Sequence, residues 1–234
     1  MNHDEWLDFA DHEYVKLLQV LSALSPDAWD APTDCAGWTV RDVVAHIAGA
    51  AASTASLREN LRQWRLSRRH EGDQLIDRIN DVQLAERRDS SPSALISELS
   101  ESAPRSVIKR RGTPHLMRRV RIPTDTPGLG WTTVGHLNDV VYTRDVWMHR
   151  VDICRATGHP LILTSGHDGQ LIGDAADAWL VAPGSPKGLS LTGPAGGQFG
   201  SPDDETPAFD AIEFCRALSG RGHLNGVRAD IVPF

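Results

Sequence analysis

The chain has 234 residues, a formal net charge of −7 at pH 7 and 40% hydrophobic residues. This length accommodates one large domain or a main domain with a small one, and the apolar content excludes a disordered chain. The acidic balance gives no electrostatic footprint for nucleic acid, and no apolar run approaches the roughly 18 residues of a membrane span.

The N-terminus and the cysteines bear on the cellular compartment. The opening residues are acidic and lack the apolar core of a signal peptide. Cys35, Cys154 and Cys215 lie far apart in apolar contexts, and an odd number at such spacing predicts reduced thiols rather than disulfides. These features predict a cytoplasmic protein.

Apolar residues at helical spacing predict two long helices at the start of the chain. The first covers about residues 4–24. The second opens at Thr39, where Thr39 and Asp42 have the spacing of a capping box, and continues through the sixties.

Two further helical regions follow. The third covers about residues 72–111 and restarts at Ser91–Pro92. After an extended linker over 118–130, the fourth covers 133–157 and ends at Gly158. This order predicts a mostly α fold, a four-helix bundle with one long crossover before its last helix.

The rest of the chain changes character and predicts a small α+β unit. Its predicted elements are a helix over 168–181, a short strand within 187–197, an amphipathic helix within 206–222 and a terminal strand over 227–234. The predicted domains are therefore 1–158 and 159–234, with the second docked on the bundle because it is small for an independent core.

The last bundle helix carries an unusual polar set. Asp145, His149 and Asp152 follow one another at spacings of four and three, which places them on one side of the helix. Two such side chains can converge on one metal ion, as they do in zincin helices. Pairs between the aspartates and the neighbouring arginines around a core histidine are the alternative, and this helix alone favours that interpretation.

A second candidate ligand lies in the second helix. His46 has small neighbours on its side of the helix, Gly49, Ala50 and Ser53, which leave space for something other than a packed side chain. Asp42, one turn earlier, is placed to bind the second ring nitrogen, as metal-ligating histidines require. A buried histidine bonded to a backbone carbonyl is the alternative.

Arginines recur along the end of the second helix, among them Arg62 and Arg65. A solvated face paired with the acids of the chain is the favoured interpretation, and an anion-binding rim is the alternative. There is no Gly-rich phosphate loop and no GxSxG motif.

Two motifs together resemble one family. "DCAGWTVRDVVAHIAG" at 34–49, followed by "RDVWMHRVDICRATGHP" at 144–160, is similar to the mycothiol-dependent maleylpyruvate isomerase family, within the DinB/YfiT-like metalloenzyme superfamily. The resemblance covers the whole chain in order and includes "FDAIEFCRALSGR" at 209–221.

The resemblance implies a DinB-like bundle that binds a divalent ion, commonly zinc, through His46, Asp145 and His149. The family pattern has a glutamate where this chain has Asp145. The C-terminal unit resembles a sterol-carrier-like fold and is expected to contribute Arg221 to catalysis.

The resemblance also implies roles around the metal. Asp42 and Asp152 are expected to orient the histidines, and Arg62 or Arg65 to hold a carboxylate.

The implied chemistry uses a thiol as co-substrate. Mycothiol, or a similar low-molecular-weight thiol, binds the metal as thiolate and attacks a small electrophile, in a cis–trans isomerase or an S-transferase. A thiol-independent metal-hydroxide hydrolase and a non-enzymatic ligand-binding member are the alternatives. Nucleic-acid and membrane partners are not expected, and the chain is expected to be a monomer or a homodimer.

Overall fold

The computed structural model describes residues 1–72, 74–124, 130–229 and 232. The chain divides into two compact units, with the break between Pro160 and Leu161. The larger unit comprises the described residues from 2 to 160, and the smaller unit comprises those from 161 onward together with Met1. Within the described ranges, no helix has the length and apolarity needed to cross a membrane.

The larger unit is built on four long helices that pack in a closed ring. Its helices are α1 (His3–Ala23), α2 (Val40–Ala55), α3 (Leu57–Ser67), α4 (Leu75–Arg87), α5 (Pro92–Arg111), α6 (His115–Arg118), α7 (Val134–His136) and α8 (Tyr142–Thr157). Helices α1 and α2 each pack on both α5 and α8, so these four enclose one core. The predicted four-helix bundle is confirmed, and α3 and α4 pack on α2 and on each other.

Local signals set the starts of the bundle helices. The Thr39 hydroxyl accepts a hydrogen bond from the backbone N–H of Asp42, and the Asp42 carboxylate accepts one from the backbone N–H of Thr39. The predicted capping box is therefore confirmed. Ser91 caps α5 through the N–H of Ala94, and Pro92 occupies the first turn, where its missing N–H costs nothing.

The predicted length of the second helix is wrong. Ser56 has an extended backbone, with φ −145° and ψ 117°, and its hydroxyl accepts a hydrogen bond from the N–H of Glu59. Because this cap starts a new helix, α3 turns back onto α2 instead of continuing it. Gln63 of α3 then donates a hydrogen bond to the carbonyl oxygen of Gly49 at 3.0 Å.

The last bundle helix is helical over the predicted range, with one irregular turn. Residues 137–141 form a π-helical turn before α8, and Gly158, with φ +69°, ends α8 as predicted. The predicted linker contains β1 (Arg121–Pro123), which pairs antiparallel with β2 (Trp131–Thr133) directly after the linker. Positions 125–129 of that linker lie outside the described residues.

The smaller unit is an α+β structure, as predicted. Its elements are α9 (Asp168–Leu180), β3 (Gly188–Thr192), β4 (Gly197–Gly200), β5 (Ala208–Asp210) and α10 (Ala211–Leu218). The sheet order is β4-β3-β5, with β3 antiparallel to β4 and parallel to β5. Of the predicted terminal strand, residues 227–229 are not in a strand, and 230, 231, 233 and 234 lie outside the described residues.

Candidate metal centre

The three predicted ligand residues lie together inside the bundle. Asp145 Oδ2 lies 3.4 Å from His46 Nε2, and Asp145 Oδ1 lies 3.3 Å from His149 Nε2. The donor atoms of the three residues all lie within 4.8 Å of one another. Asp145 and His149 share a face of α8 because residues four apart stack on a helix, and His46 reaches them from the adjacent α2.

The group is largely buried, and its charges are coupled. Burial disfavours the carboxylate of Asp145, but the charges and hydrogen bonds of His149 and His46 outweigh that cost and hold its pKa well below the ordinary value. Burial likewise disfavours the charged form of His149, but Asp145 and then Asp152 and Cys35 raise its pKa well above the ordinary value. The carboxylate is therefore ionised at neutral pH, as a metal ligand must be.

The outer nitrogen of His149 is held by a carboxylate. His149 Nδ1 donates to Asp152 Oδ2 at 3.0 Å, and the Asp152 side chain is fully buried. The Cys35 thiol donates to the same oxygen at 3.3 Å, and its sulfur lies 3.9 Å from His149 Nδ1. Asp152 thus has the orienting position that the resemblance implied.

Sequence reasoning missed Cys35 as part of this cluster. The cysteine precedes α2 in a tight turn, where the N–H of Trp38 donates to the carbonyl oxygen of Cys35 at 2.9 Å. Its partner Asp152 is 117 positions away. The only available signal was its place at the start of the first family-like motif.

The expected role of Asp42 is wrong. Its carboxylate accepts hydrogen bonds from the backbone N–H and the hydroxyl of Thr39, at 2.9 and 2.7 Å, and so serves the helix cap. Gln83 of α4 takes the place that Asp42 was expected to fill, because its Oε1 accepts from His46 Nδ1 at 2.8 Å.

The space beside His46 is occupied by this glutamine. A Cβ atom added to Gly49 would lie 2.6 Å from Gln83 Cγ and 2.7 Å from Gln83 Cβ, closer than real side chains approach. The prediction that the small residues near His46 leave space for something other than a packed side chain is therefore wrong, because the side chain of Gln83 fills that space.

Trp38 forms an aromatic wall against both histidines. Its ring centroid lies 5.3 Å from that of His46 and 6.3 Å from that of His149, with which it is stacked. The two imidazoles meet edge to face at 5.1 Å. The indole thus restricts the imidazole rotations that would move either Nε2 away from Asp145.

Comparison with known families supplies the decisive observation for the bundle. The family model of the mycothiol maleylpyruvate isomerase N-terminal domain matches residues 10–154, which include all three candidate ligands. The chain belongs to the mycothiol maleylpyruvate isomerase family. It is therefore an enzyme of this family, and the resemblance carried by the two motifs is confirmed. A search of curated proteins finds no match.

Two solved structures share the fold along most of the chain. A crystal structure of the mycothiol-dependent maleylpyruvate isomerase is 19% identical to this chain with a TM-score of 0.60. A histidine-to-alanine mutant of that isomerase is 18% identical with a TM-score of 0.59. Each match covers 95% of this chain and 90% of the other. At this level of identity the likeness shows the shared isomerase-family fold.

Of the predicted arginines, Arg62 and Arg65 lie on α3 of the larger unit, and Arg221 lies in the smaller unit. Arg62 pairs with Glu59 at 2.6 Å and with Glu86 at 2.5 Å, which favours the solvated-face interpretation. It lines a cavity of about 410 Å³ whose lining includes none of the three candidate ligands. Arg65 is exposed on α3. Arg221 belongs to the smaller unit, where its backbone N–H donates to the carbonyl oxygen of Arg216 at 2.8 Å.

The donor set fits a divalent metal ion. Gln83 and Asp152 engage the Nδ1 atoms of His46 and His149, so both Nε2 atoms face the shared centre beside Asp145. A metal ion bound there would replace the Nε2 proton of charged His149. Two imidazole nitrogens and one carboxylate oxygen form a set typical of catalytic zinc, which keeps a further position open.

Proposed function

We propose that this enzyme is a mycothiol-dependent isomerase of a small electrophilic substrate that requires a divalent ion, zinc, held by His46, Asp145 and His149. The observation that carries the proposal is the convergence of these three donors while Gln83 and Asp152 engage the outer ring nitrogens. Family membership supports the thiol and the class of reaction.

The residues of the site support thiol chemistry without a nucleophile of their own. A bound zinc ion lowers the pKa of a thiol or water that it coordinates. Ionised Asp145 partly neutralises such a centre, and Trp38 closes one side of it to water. The Cys35 thiol, the cysteine nearest the centre, is already engaged with Asp152.

The reaction that we propose begins with addition of the thiol sulfur to a conjugated double bond of the substrate. The former double bond then rotates as a single bond, and loss of the sulfur restores the double bond in the other geometry. The thiol is regenerated, so atoms and charge balance over the cycle. Displacement of a leaving group at the same site would instead give an S-transferase.

Metal analysis tests the centre directly. We expect one zinc per chain in the purified protein, and loss of the metal in His46→Ala and in His149→Ala because each removes one of three ligands. His115→Ala is the matched control, since His115 is exposed on α6. A metal-free wild type whose melting temperature is insensitive to a chelator would contradict the proposal.

Turnover with and without thiol tests the reaction. We expect isomerisation of maleylpyruvate, the substrate named for the related structures, to depend on mycothiol in the zinc-loaded enzyme. Thiol-independent hydrolysis of the substrate would instead support a metal-hydroxide enzyme. We also propose that Arg221 takes part in catalysis and that Arg62 or Arg65 binds a carboxylate of the substrate. The same assay checks each role in the corresponding alanine variant.

We further propose a cytoplasmic location. Cys35, Cys154 and Cys215 form no disulfide, which suits a reducing compartment. Cell fractionation with antibody detection tests this, and recovery outside the cytoplasmic fraction would contradict it.

A further inference from the structure

A chain of buried amide side chains continues outward from His46. His46 Nδ1 donates to Gln83 Oε1 at 2.8 Å, and Gln83 Nε2 donates to Gln63 Oε1 at 3.0 Å. Gln63 Nε2 in turn donates to the carbonyl oxygen of Gly49 at 3.0 Å and to Glu59 Oε1 at 2.9 Å. Gln63 is 1% exposed and Gln83 is 2% exposed, so their amides are shielded from solvent.

The acceptors at the outer end of this hydrogen-bond series determine the orientation of both glutamine amides. A backbone carbonyl and an ionised carboxylate can only accept hydrogen bonds, so Gly49 and Glu59 claim both hydrogens of the Gln63 amide. The Gln63 oxygen is then the atom that faces Gln83, and it requires the Gln83 NH₂ group opposite. The Gln83 oxygen is thereby turned to His46, where it requires a hydrogen on Nδ1, and Nε2 is the nitrogen that faces Asp145 Oδ2 at 3.4 Å.

We propose that Gln63 is a positioning residue of the candidate metal centre, which acts through Gln83 to keep a hydrogen on His46 Nδ1, so that Nε2 is the nitrogen offered to a metal ion. Without Gln63, the Gln83 amide can turn over, because its oxygen and its NH₂ group are nearly the same size. A reversed amide donates to Nδ1 and places the proton on Nε2, where it competes with a metal ion.

Glu59 provides the second acceptor at the outer end. A hydrogen bond from Arg62 lowers the pKa of Glu59, so its carboxylate only accepts at neutral pH. The Gly49 carbonyl accepts from the same amide regardless of pH. We therefore expect Glu59→Gln to disturb the orientation of the Gln63 and Gln83 amides less than a substitution of Gln63 does.

The tautomer of His46 in metal-free protein is the direct test. Two-bond ¹H–¹⁵N correlation spectra show which imidazole nitrogen carries the hydrogen, and His46→Ala identifies the signals. We expect a hydrogen on His46 Nδ1 in the wild type, whatever the state of Nε2 beside Asp145, and a fraction of molecules without it in Gln63→Met, which keeps the side-chain length but not the hydrogen bonds.

A double variant separates positioning from general disruption. The double variant Gln63→Met/Gln83→Glu places a carboxylate beside His46. Because a carboxylate accepts a hydrogen bond in either orientation, we expect the hydrogen on His46 Nδ1 to return. The control is Asn60→Met. Asn60 lies on the same helix, but its amide donates to the Ser53 hydroxyl, which is not part of this series of hydrogen bonds. That variant should keep the wild-type tautomer.

Zinc affinity gives an independent measurement by competition with a chelator. We expect Gln63→Met to bind zinc about tenfold more weakly, the lower end of the range for partners of ligating histidines, and the double variant to recover affinity. A wild type without a hydrogen on His46 Nδ1, or an unchanged protonation of Nδ1 in Gln63→Met, would overturn the proposal. If Gln63→Met does not fold, Gln63→Leu and the wild-type spectrum decide the question in the same way.

The functional consequence of this inference rests on the proposed metal site, but the tautomer does not. If the enzyme binds no zinc or needs no thiol, the proposed function fails while the spectra of metal-free protein still show whether Gln63 sets the tautomer. The two failures are therefore distinguishable.

Discussion

The two histidines of the candidate metal centre are held by different kinds of side chain. His149 is held by the buried carboxylate of Asp152, three residues further along the same helix. His46 is held by the neutral amide of Gln83, which comes from another helix 37 residues away. A carboxylate presents an acceptor in every rotation, whereas an amide does so in only one of two. The carboxylate therefore needs no second group to set its direction, whereas the neutral amide requires a second amide to do so.

The largest effect is expected from a substitution that gives His149 the same kind of partner as His46. Asp152→Asn gives His149 an amide partner that no second amide directs. We expect zinc affinity, measured by chelator competition, to fall by about a hundredfold, because such partners fix both tautomer and ligand basicity. Asp77→Asn, an exposed site on α4, is the control. A loss below about threefold would contradict the role of Asp152.

A second change acts on the His46 side without touching a polar group. Gly49→Ala places a Cβ atom within 2.7 Å of Gln83, so the glutamine must move away from His46. We expect the free energy of unfolding to fall by about 1–3 kcal/mol, as in overpacked cores, with weaker zinc binding alongside.

Denaturant unfolding of metal-free and zinc-loaded protein measures both effects. Gly112→Ala is the control, because a Cβ there meets its nearest atom at 3.5 Å, an ordinary contact. Equal free energies of unfolding in the two alanine variants would show that Gln83 does not pack tightly against Gly49.

The smallest effect is expected at Cys35, which sharpens the contrast on the His149 side. Its thiol is a weak donor to Asp152, so Cys35→Ala should cost about 0.5–1.5 kcal/mol of unfolding free energy, the usual range for one hydrogen bond. Cys35→Ser, which keeps a donor, should retain zinc affinity. If serine and alanine behave alike, the thiol does not support Asp152 through hydrogen bonding.

Local sequence patterns predicted much of the fold and the ligands' placement. The capping box at Thr39 and the restart at Ser91–Pro92 both depend on residues within a few positions of each other. The spacing of four between Asp145 and His149 likewise fixes their shared face on one helix. Such features are readable because helix geometry alone determines them.

The remote partners were not predictable in the same way. Gln83, Gln63 and Cys35 approach their partners through packing between helices or across a loop, and no periodicity within one segment encodes such a contact. Asp42 was assigned wrongly for a different, local reason. It shares a face with His46, but the local demand of the helix cap takes its carboxylate first.

The short segment of residues 35–49 contributes four parts of the candidate site. Cys35 braces the carboxylate behind one imidazole, Trp38 packs on both rings, His46 supplies a nitrogen donor and Gly49 leaves clearance for the glutamine. A single-residue insertion in its helical part would rotate His46 and Gly49 by about 100° relative to Cys35 and Trp38. The segment is therefore intolerant of length changes, and an engineer who wished to move this centre to another bundle would have to transplant it whole.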